Sequence, residues 1–166
     1  MRRGILRRRG VEKVGGLKKP TPFATLMGRH VEAAFAMERP MQRCFTNILC
    51  ADVDRTAGFY EELLGLHRHY TSDWFVILSH HDLPRLEVGL LQRDHAIVPE
   101  AVKAPPAGVM VTFVVDHCDA VHDAARAMGA EVLEPPTDMP YGQRRMLLRD
   151  PEGTVLDISA PIAAMR

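Results

Sequence analysis

The sequence predicts an α+β protein built from two tandem βαβββ modules. Residues 45–65 read FTNILCADVDRTAGFYEELLG and residues 110–129 read MVTFVVDHCDAVHDAARAMG, so each gives a strand, an Asp-containing turn, a helix and a closing glycine. Each is followed by strand-like segments that end in an apolar–acidic–apolar triplet, LEV at 86–88 and LDI at 156–158. A duplicated module with a carboxylate near each end indicates a cleft shared by two halves.

The first module is predicted from one helical stretch and four strand-like stretches. Apolar residues recur at helical spacing across 53–64, Asp52 or Asp54 can cap the helix by accepting hydrogen bonds from its first turn, and Gly65 suits its end. The predicted strands are 44–50, 66–70, 74–79 and 85–91.

The second module repeats this order. A β-branched run predicts a strand at 109–115, Asp116 or Asp119 can cap the second helix, and Gly129 ends it. Further strands are expected at 131–134, 144–149 and 154–159, with a loop at Pro135-Pro136 and a turn at 150–153 where Pro and Gly suit the required backbone angles.

Prolines mark the boundaries. Three prolines between residues 92 and 108 predict a linker at 99–107, which separates module one (41–98) from module two (108–162). Residues 1–40 carry ten Lys/Arg and three Glu, a net of +7, and we interpret them as a disordered extension or as the product of an upstream start codon, with Met37 or Met41 as the true beginning. The alternative is a weak contact with nucleic acid or an anionic membrane.

Composition excludes several classes of protein. Residues 41–166 have a net charge of −7, which argues against nucleic acid as a partner of the core. The chain has no apolar stretch long enough to span a membrane. Three cysteines without a CxxC motif argue against a disulfide framework or structural zinc and favour a reducing, cytoplasmic location.

The order of these segments carries a resemblance. The FYEELLGL helix at 59–66, three strands, and a second copy that ends in RDPEG at 149–153 before LDI together resemble the vicinal oxygen chelate superfamily. That group includes glyoxalase I, the extradiol dioxygenases, fosfomycin-modifying enzymes and bleomycin-binding resistance proteins. The resemblance covers 41–161 and implies a curved mixed sheet around a cleft and a homodimer.

In metal-using members, four positions on the first and last strand of each module converge on one divalent ion. By resemblance these positions fall on Phe45, Glu87, Met110 and Asp157. Phenylalanine offers no donor, and a methionine thioether is a soft donor that suits copper(I). We therefore expect no metal or other cofactor, with a weakly held divalent ion on the two carboxylates as the alternative.

Strand alternation predicts the lining of the cleft. Side chains on the same face as the four positions mix aromatic, thioether, hydroxyl, amide and acidic groups, which suits a small organic molecule. Trp74 near the cleft mouth and the Tyr141–Arg145 segment after a Pro-rich loop are further candidates. The candidate ligand-binding residues are Phe45, Asn47, Leu49, Trp74, Met110, Thr112, Tyr141, Gln143 and Arg145.

Three functions remain open. The first is a protein that sequesters a small organic ligand in a metal-poor cleft. The second is a lyase, isomerase or dioxygenase-type enzyme in which Glu87 and Asp157 act as acid/base groups or weak metal ligands; both carboxylates can instead pair with Arg85, Arg144 or Arg145 and have no catalytic role. The third is a structural dimer without a small ligand.

Overall fold

The computed structural model describes residues 41–162. The predicted disorder of residues 1–40 and a short helix that the sequence allows at 31–37 lie outside the described residues. None of the helices in the described part of the chain is long and apolar enough to cross a membrane. The cytoplasmic location and the domain bounds stay predictions.

Module one contains four strands and one helix. The order along the chain is β1 (Thr46–Cys50), α1 (Val53–Leu64), β2 (His67–Thr71), β3 (Phe75–His80) and β4 (Leu83–Gln92). The strands form one sheet in the order β1-β4-β3-β2. The β1 strand runs parallel to β4 because α1 carries the chain back across the sheet, whereas the other pairs are antiparallel hairpins.

Module two repeats the arrangement after the connecting segment 93–109, which is longer than the predicted 99–107, is called the linker below and contains a short 3-10 helix (Glu100–Val102). Its elements are β5 (Met110–Val114), α2 (Cys118–Ala127), β6 (Val132–Met139), β7 (Gln143–Arg149) and β8 (Val155–Pro161). The sheet order is β5-β8-β7-β6, with β5 parallel to β8. Two four-stranded mixed sheets with two helices confirm the predicted α+β class of two βαβββ modules.

The two helix starts differ. Asp52 caps α1, and its Oδ1 accepts a hydrogen bond of 3.0 Å from Arg55 N, while Gly65 ends the helix with φ 66° in the left-handed region. At α2 the N-cap position is His117, which makes no side-chain cap hydrogen bond. The prediction that Asp116 or Asp119 caps α2 is wrong, because the Asp119 carboxylate lies instead against the Arg144 guanidinium, at 2.7 and 2.8 Å.

The predicted loop at Pro135-Pro136 is also wrong. Strand β6 continues through both prolines to Met139, with shifts of register between Val132 and Thr137. It lies at the edge of its sheet with β7 on one side, and neither proline has a register partner on β7, so the missing N–H groups are tolerated. The shifts accommodate the prolines, so the strand is irregular rather than interrupted.

One hydrophobic core serves both modules. The apolar faces of the two sheets pack under the helices: Ile48, Val88 and Leu90 of module one join Leu156 and Ile158 of module two in the same buried cluster. The alternate side chains on β1 and β5 are more exposed, as the period of two requires. The opposite sheet faces are therefore open for other contacts.

The β7–β8 turn of module two docks on α1. Asp150 is buried; its Oδ2 accepts a 2.9 Å hydrogen bond from the Tyr60 hydroxyl, and its Oδ1 accepts from Glu152 N and Thr154 N. Burial raises the pKa of Asp150, and these hydrogen bonds partly offset the effect. Tyr60 is fully buried, and its hydroxyl and that of Thr56, which donates to Glu152 at 3.4 Å, both join the two modules here.

Tyr60→Phe is expected to lower the free energy of unfolding at pH 7 by about 1–2 kcal/mol, because a buried carboxylate loses a hydrogen-bond donor. Urea denaturation followed by circular dichroism measures the change. Tyr70→Phe is the matched control, since Tyr70 is half exposed on the edge strand β2 and its change should stay within about 0.5 kcal/mol. Equal losses in the two variants would contradict the role of the Tyr60–Asp150 bond.

Candidate functional site

A cavity of about 470 Å³ lies on the open face of module one. Strands β1, β3 and β4 form its floor and the linker forms its opposite wall. Eight of the nine described lining side chains are aliphatic or aromatic, and none is charged. The lining residues are Asn47, Leu49, Trp74, Phe75, Leu91, Ile97, Val98, Pro99 and Val102.

The linker is held against the sheet by packing at two points. The His95 ring stacks on the Trp74 indole with centroids 4.3 Å apart and planes 6° apart, and Val98 is buried. Arg93 donates a 2.5 Å hydrogen bond to Glu152, whose side chain is only 6% exposed. The wall of the cavity is thereby attached to module two, through Glu152.

Gly89 makes room for the Asn47 side chain. The two residues are register partners on the parallel strands β1 and β4. A Cβ atom at position 89 would lie 2.1 Å from Asn47 Oδ1 and 3.2 Å from a ring carbon of Phe45. The Asn47 amide therefore lies in a depression of the sheet that only glycine provides.

The Glu87 carboxylate is engaged by Arg43. The guanidinium donates two hydrogen bonds to it, 2.5 Å from Nε and 2.6 Å from Nη2, and its carbon lies 4.7 Å from the centre of the Phe45 ring. These hydrogen bonds hold the pKa of Glu87 below its ordinary value. A carboxylate with a lowered pKa binds protons weakly, so Glu87 is a poor general base in this state.

Asp157 has a similar arrangement in module two. Arg145 Nε donates a 2.9 Å hydrogen bond to Asp157 Oδ1, and the Asp157 side chain is 13% exposed. The pairing with Arg145 is one of those that the sequence allowed. Thr112 is the register partner of Asp157 on β5.

Comparison with known proteins identifies the family. The model of the Glyoxalase/Bleomycin resistance protein/Dioxygenase superfamily matches residues 43–158. The chain belongs to this superfamily. The match spans both modules and the linker between them, so the resemblance noted in the sequence is confirmed.

Related proteins agree with this assignment. The chain is 28% identical over 137 residues to "Putative glyoxylase CFP32" of Mycobacterium bovis and of Mycobacterium tuberculosis, which covers 80% of this chain and 49% of each relative. The chain thus spans about half the length of these curated relatives.

Solved structures share the fold. A glyoxalase/bleomycin resistance protein/dioxygenase from Nocardioides has a TM-score of 0.63 at 22% identity, over 83% of this chain and 94% of that one. A family enzyme from Burkholderia phytofirmans PsJN has a TM-score of 0.62 at 21% identity, over 71% and 97%.

The donor set at the four superfamily positions does not fit a tightly held divalent ion. Phe45 has no donor atom, and Met110 offers a thioether. Arginines already occupy oxygens of Glu87 and Asp157. Within residues 41–162 there is no group of three or more His, Cys, Asp or Glu side chains placed to hold a metal ion.

The cavity brings together three of the residues predicted to bind a ligand: Asn47, Leu49 and Trp74. Phe45 lies beside them, against Gly89 and Arg43. The other candidates lie on module two and do not line this cavity. They are Met110, Thr112, Tyr141, Gln143 and Arg145.

His67 and Cys118 carry potentially reactive groups but lie outside the cavity. His67 stacks on His81, with ring centroids 4.1 Å apart. Cys118 begins α2 and is 1% exposed; burial and then the neighbouring Asp119 raise the pKa of its thiol, which disfavours a reactive thiolate.

The sequence predicted the linker but neither its contribution to the cavity nor the role of Arg43. Arg43 lies two residues before Phe45, so alternation along an extended chain places both on one face; that signal was present but not used. The contribution of Ile97, Val98 and Val102 follows from how the linker packs back on the sheet. Local sequence patterns carry no signal for such packing.

Gly89→Ala is expected to displace the Asn47 amide while changing the free energy of unfolding by less than about 1 kcal/mol, because the far end of one side chain can rotate away. The side-chain NH₂ signals of Asn47 in a ¹⁵N NMR spectrum report the displacement. Gly58→Ala is the control: nothing lies within 4 Å of the added methyl group inside α1, so those signals should not move. Its stability should rise by about 0.5–1 kcal/mol. Unmoved Asn47 signals in Gly89→Ala would contradict the close approach.

Arg43→Met is expected to raise the pKa of Glu87 toward its ordinary value, because the hydrogen bonds that favour the ionised form are lost. A ¹³C NMR titration of the glutamate carboxyl groups measures it. Arg85→Met, which removes an exposed arginine from the same strand β4, should leave the Glu87 titration unchanged. An unchanged Glu87 pKa in Arg43→Met would show that Arg43 does not engage it in solution.

Proposed function

We propose that this superfamily member binds a small organic molecule in the cavity of module one and acts by sequestration, without a metal ion. One observation carries the proposal: the 470 Å³ cavity has an apolar and aromatic lining with a single amide. Cavities of roughly 300–1,000 Å³ with few polar groups are typical of small-molecule sites. Leu49, Trp74 and Leu91 would supply affinity, and Asn47 would supply orientation.

The enzymatic alternative has weaker support. It requires Glu87 or Asp157 to take up a proton or to bind a metal ion. Arg43 lowers the proton affinity of Glu87, and Arg145 occupies an Asp157 oxygen. Neither carboxylate lines the cavity. Both groups then serve as parts of ion pairs on the open faces of the sheets.

The double variant Glu87→Gln/Asp157→Asn tests these alternatives. A screen of small-molecule fragments, followed in ¹H-¹⁵N NMR by the indole signal of Trp74, the chain's single tryptophan, identifies ligands of the cavity. For a neutral ligand, the double variant should keep the affinity of the unsubstituted protein within about threefold, since amide replacement conserves shape. A ligand that the unsubstituted protein converts, and the variant does not, would establish the enzyme instead.

Metal retention is a separate test. The purified protein is incubated with Ni²⁺, Zn²⁺, Fe²⁺ or Mn²⁺, desalted and analysed for bound metal. We expect well under one equivalent to remain, because two arginine-paired carboxylates give too few free donors. Near-stoichiometric retention would refute this account of Phe45, Met110 and the two ion pairs.

We also propose a homodimer. The open face of β5 exposes Met110 by 56% and Val114 by 63%, which a partner surface would cover. Sedimentation velocity should show a particle of twice the mass of the chain. If this face is the contact, a Met110→Lys/Val114→Lys variant should sediment as a monomer. A variant that still sediments as a dimer would place the contact elsewhere.

A further inference from the structure

The lining of the module-one cavity restricts the charge of its ligand. Of its nine described side chains, none is ionisable at neutral pH. Two ion pairs lie beside the cavity, Arg93 with Glu152 and Lys103 with Glu100 at 3.0 Å, and the charges of each pair already compensate one another. An ion that entered the cavity would lose hydration and find no counter-charge, which is costly. The cavity therefore disfavours charged ligands.

The aromatic groups restrict the shape of the ligand. The Trp74 indole is fixed in one plane by the parallel stack on His95, and the Phe75 ring lies 5.7 Å from it with the planes 23° apart. Aromatic groups gain additional stabilisation from offset or edge contacts with other rings, beyond the burial of area. A planar ligand between the sheet and the linker would make such contacts, whereas a puckered one would not.

The Asn47 amide restricts the polar group of the ligand. A carboxamide has one oxygen that accepts and one NH₂ group that donates. Its position in the Gly89 depression orients it beside the aromatic floor. A ligand edge with an adjacent carbonyl and N–H, as in a lactam, can satisfy both groups at once.

We infer that the ligand of this cavity is an uncharged, planar aromatic or heteroaromatic molecule with an amide-like edge that pairs with Asn47. The inference rests on the proposed binding function and specifies its ligand class. It makes Asn47 the residue that selects the polar edge, and Trp74 and Phe75 the residues that select planarity.

Four matched probes test the class by isothermal titration calorimetry on the full chain, with the Trp74 indole signal as the reporter of location. The probes are 2-quinolone, the saturated lactam decahydroquinolin-2-one, the anion quinoline-2-carboxylate, and naphthalene, which lacks the polar edge. We expect 2-quinolone to bind at least about tenfold more tightly than either the saturated lactam or the anion, a difference of about 1.4 kcal/mol.

Asn47→Leu separates the polar contribution from the apolar one. The substitution keeps a side chain of similar size and removes both hydrogen-bonding groups. It should weaken the binding of 2-quinolone about fivefold or more, and it should leave the binding of naphthalene unchanged or make it tighter. Thr46→Ala, a neighbour on β1 outside this cavity, is the control and should change neither.

The outcomes distinguish failure of the inferred ligand class from failure of the proposed binding function. Equal or tighter binding of the saturated lactam or the anion, with a shift of the Trp74 signal, would overturn the ligand class and leave the proposed binding function intact. If Asn47→Leu lost binding of naphthalene as well as of 2-quinolone, the role of Asn47 in selecting the polar edge would be overturned. No binding of any probe, together with an empty fragment screen, would overturn both the class and the binding function.

Discussion

The Glu152 carboxylate sits where three parts of the chain meet. It accepts hydrogen bonds from the N–H groups of Ala51 and Asp52 at the start of α1, and from the Arg93 guanidinium at the start of the linker. Unpaired N–H groups and the positive end of the helix dipole favour an anion at this place. The side chain is only 6% exposed, and these contacts compensate its charge for the loss of solvent.

The cavity depends on these contacts of Glu152. The linker departs from β4 at Arg93, and the side chains that face the sheet follow within ten residues. If the Arg93 side chain were released, the stack of His95 on Trp74, the burial of Val98 and the backbone hydrogen bond from Arg93 N to the Cys50 carbonyl would have to hold the linker. The contacts of Glu152 between the two modules therefore also hold the wall of the proposed ligand site. The hydrogen bond from the Tyr60 hydroxyl to Asp150 completes the attachment of the turn to α1.

Ion pairing determines what the two repeated carboxylates can do. Glu87 and Asp157 lie on the last strand of each module, and each faces an arginine rather than a converging set of metal donors. In the first module the arginine also lies over Phe45, so the cation is shared between an acidic and an aromatic partner. The cleft of this superfamily member is therefore poor in free donors, and the small-molecule binding that we propose rests mainly on the apolar cavity.

The sequence by itself determined the repeat, the class of fold, the α1 helix with an Asp cap at 52 or 54 and its Gly65 end, and the alternation that separates core from open face. These are local properties, set by periodicity and by the backbone angles that each residue allows. Tertiary structure decided the rest. The cap of α2 was lost to an Asp119–Arg144 pair, strand β6 continued through two prolines because it lies at an edge, and Arg43 rather than Arg85 engaged Glu87. The ligand cavity itself required the linker to fold back on the sheet. Such contacts join residues far apart in sequence, and their free energies depend on packing and burial that no local pattern records.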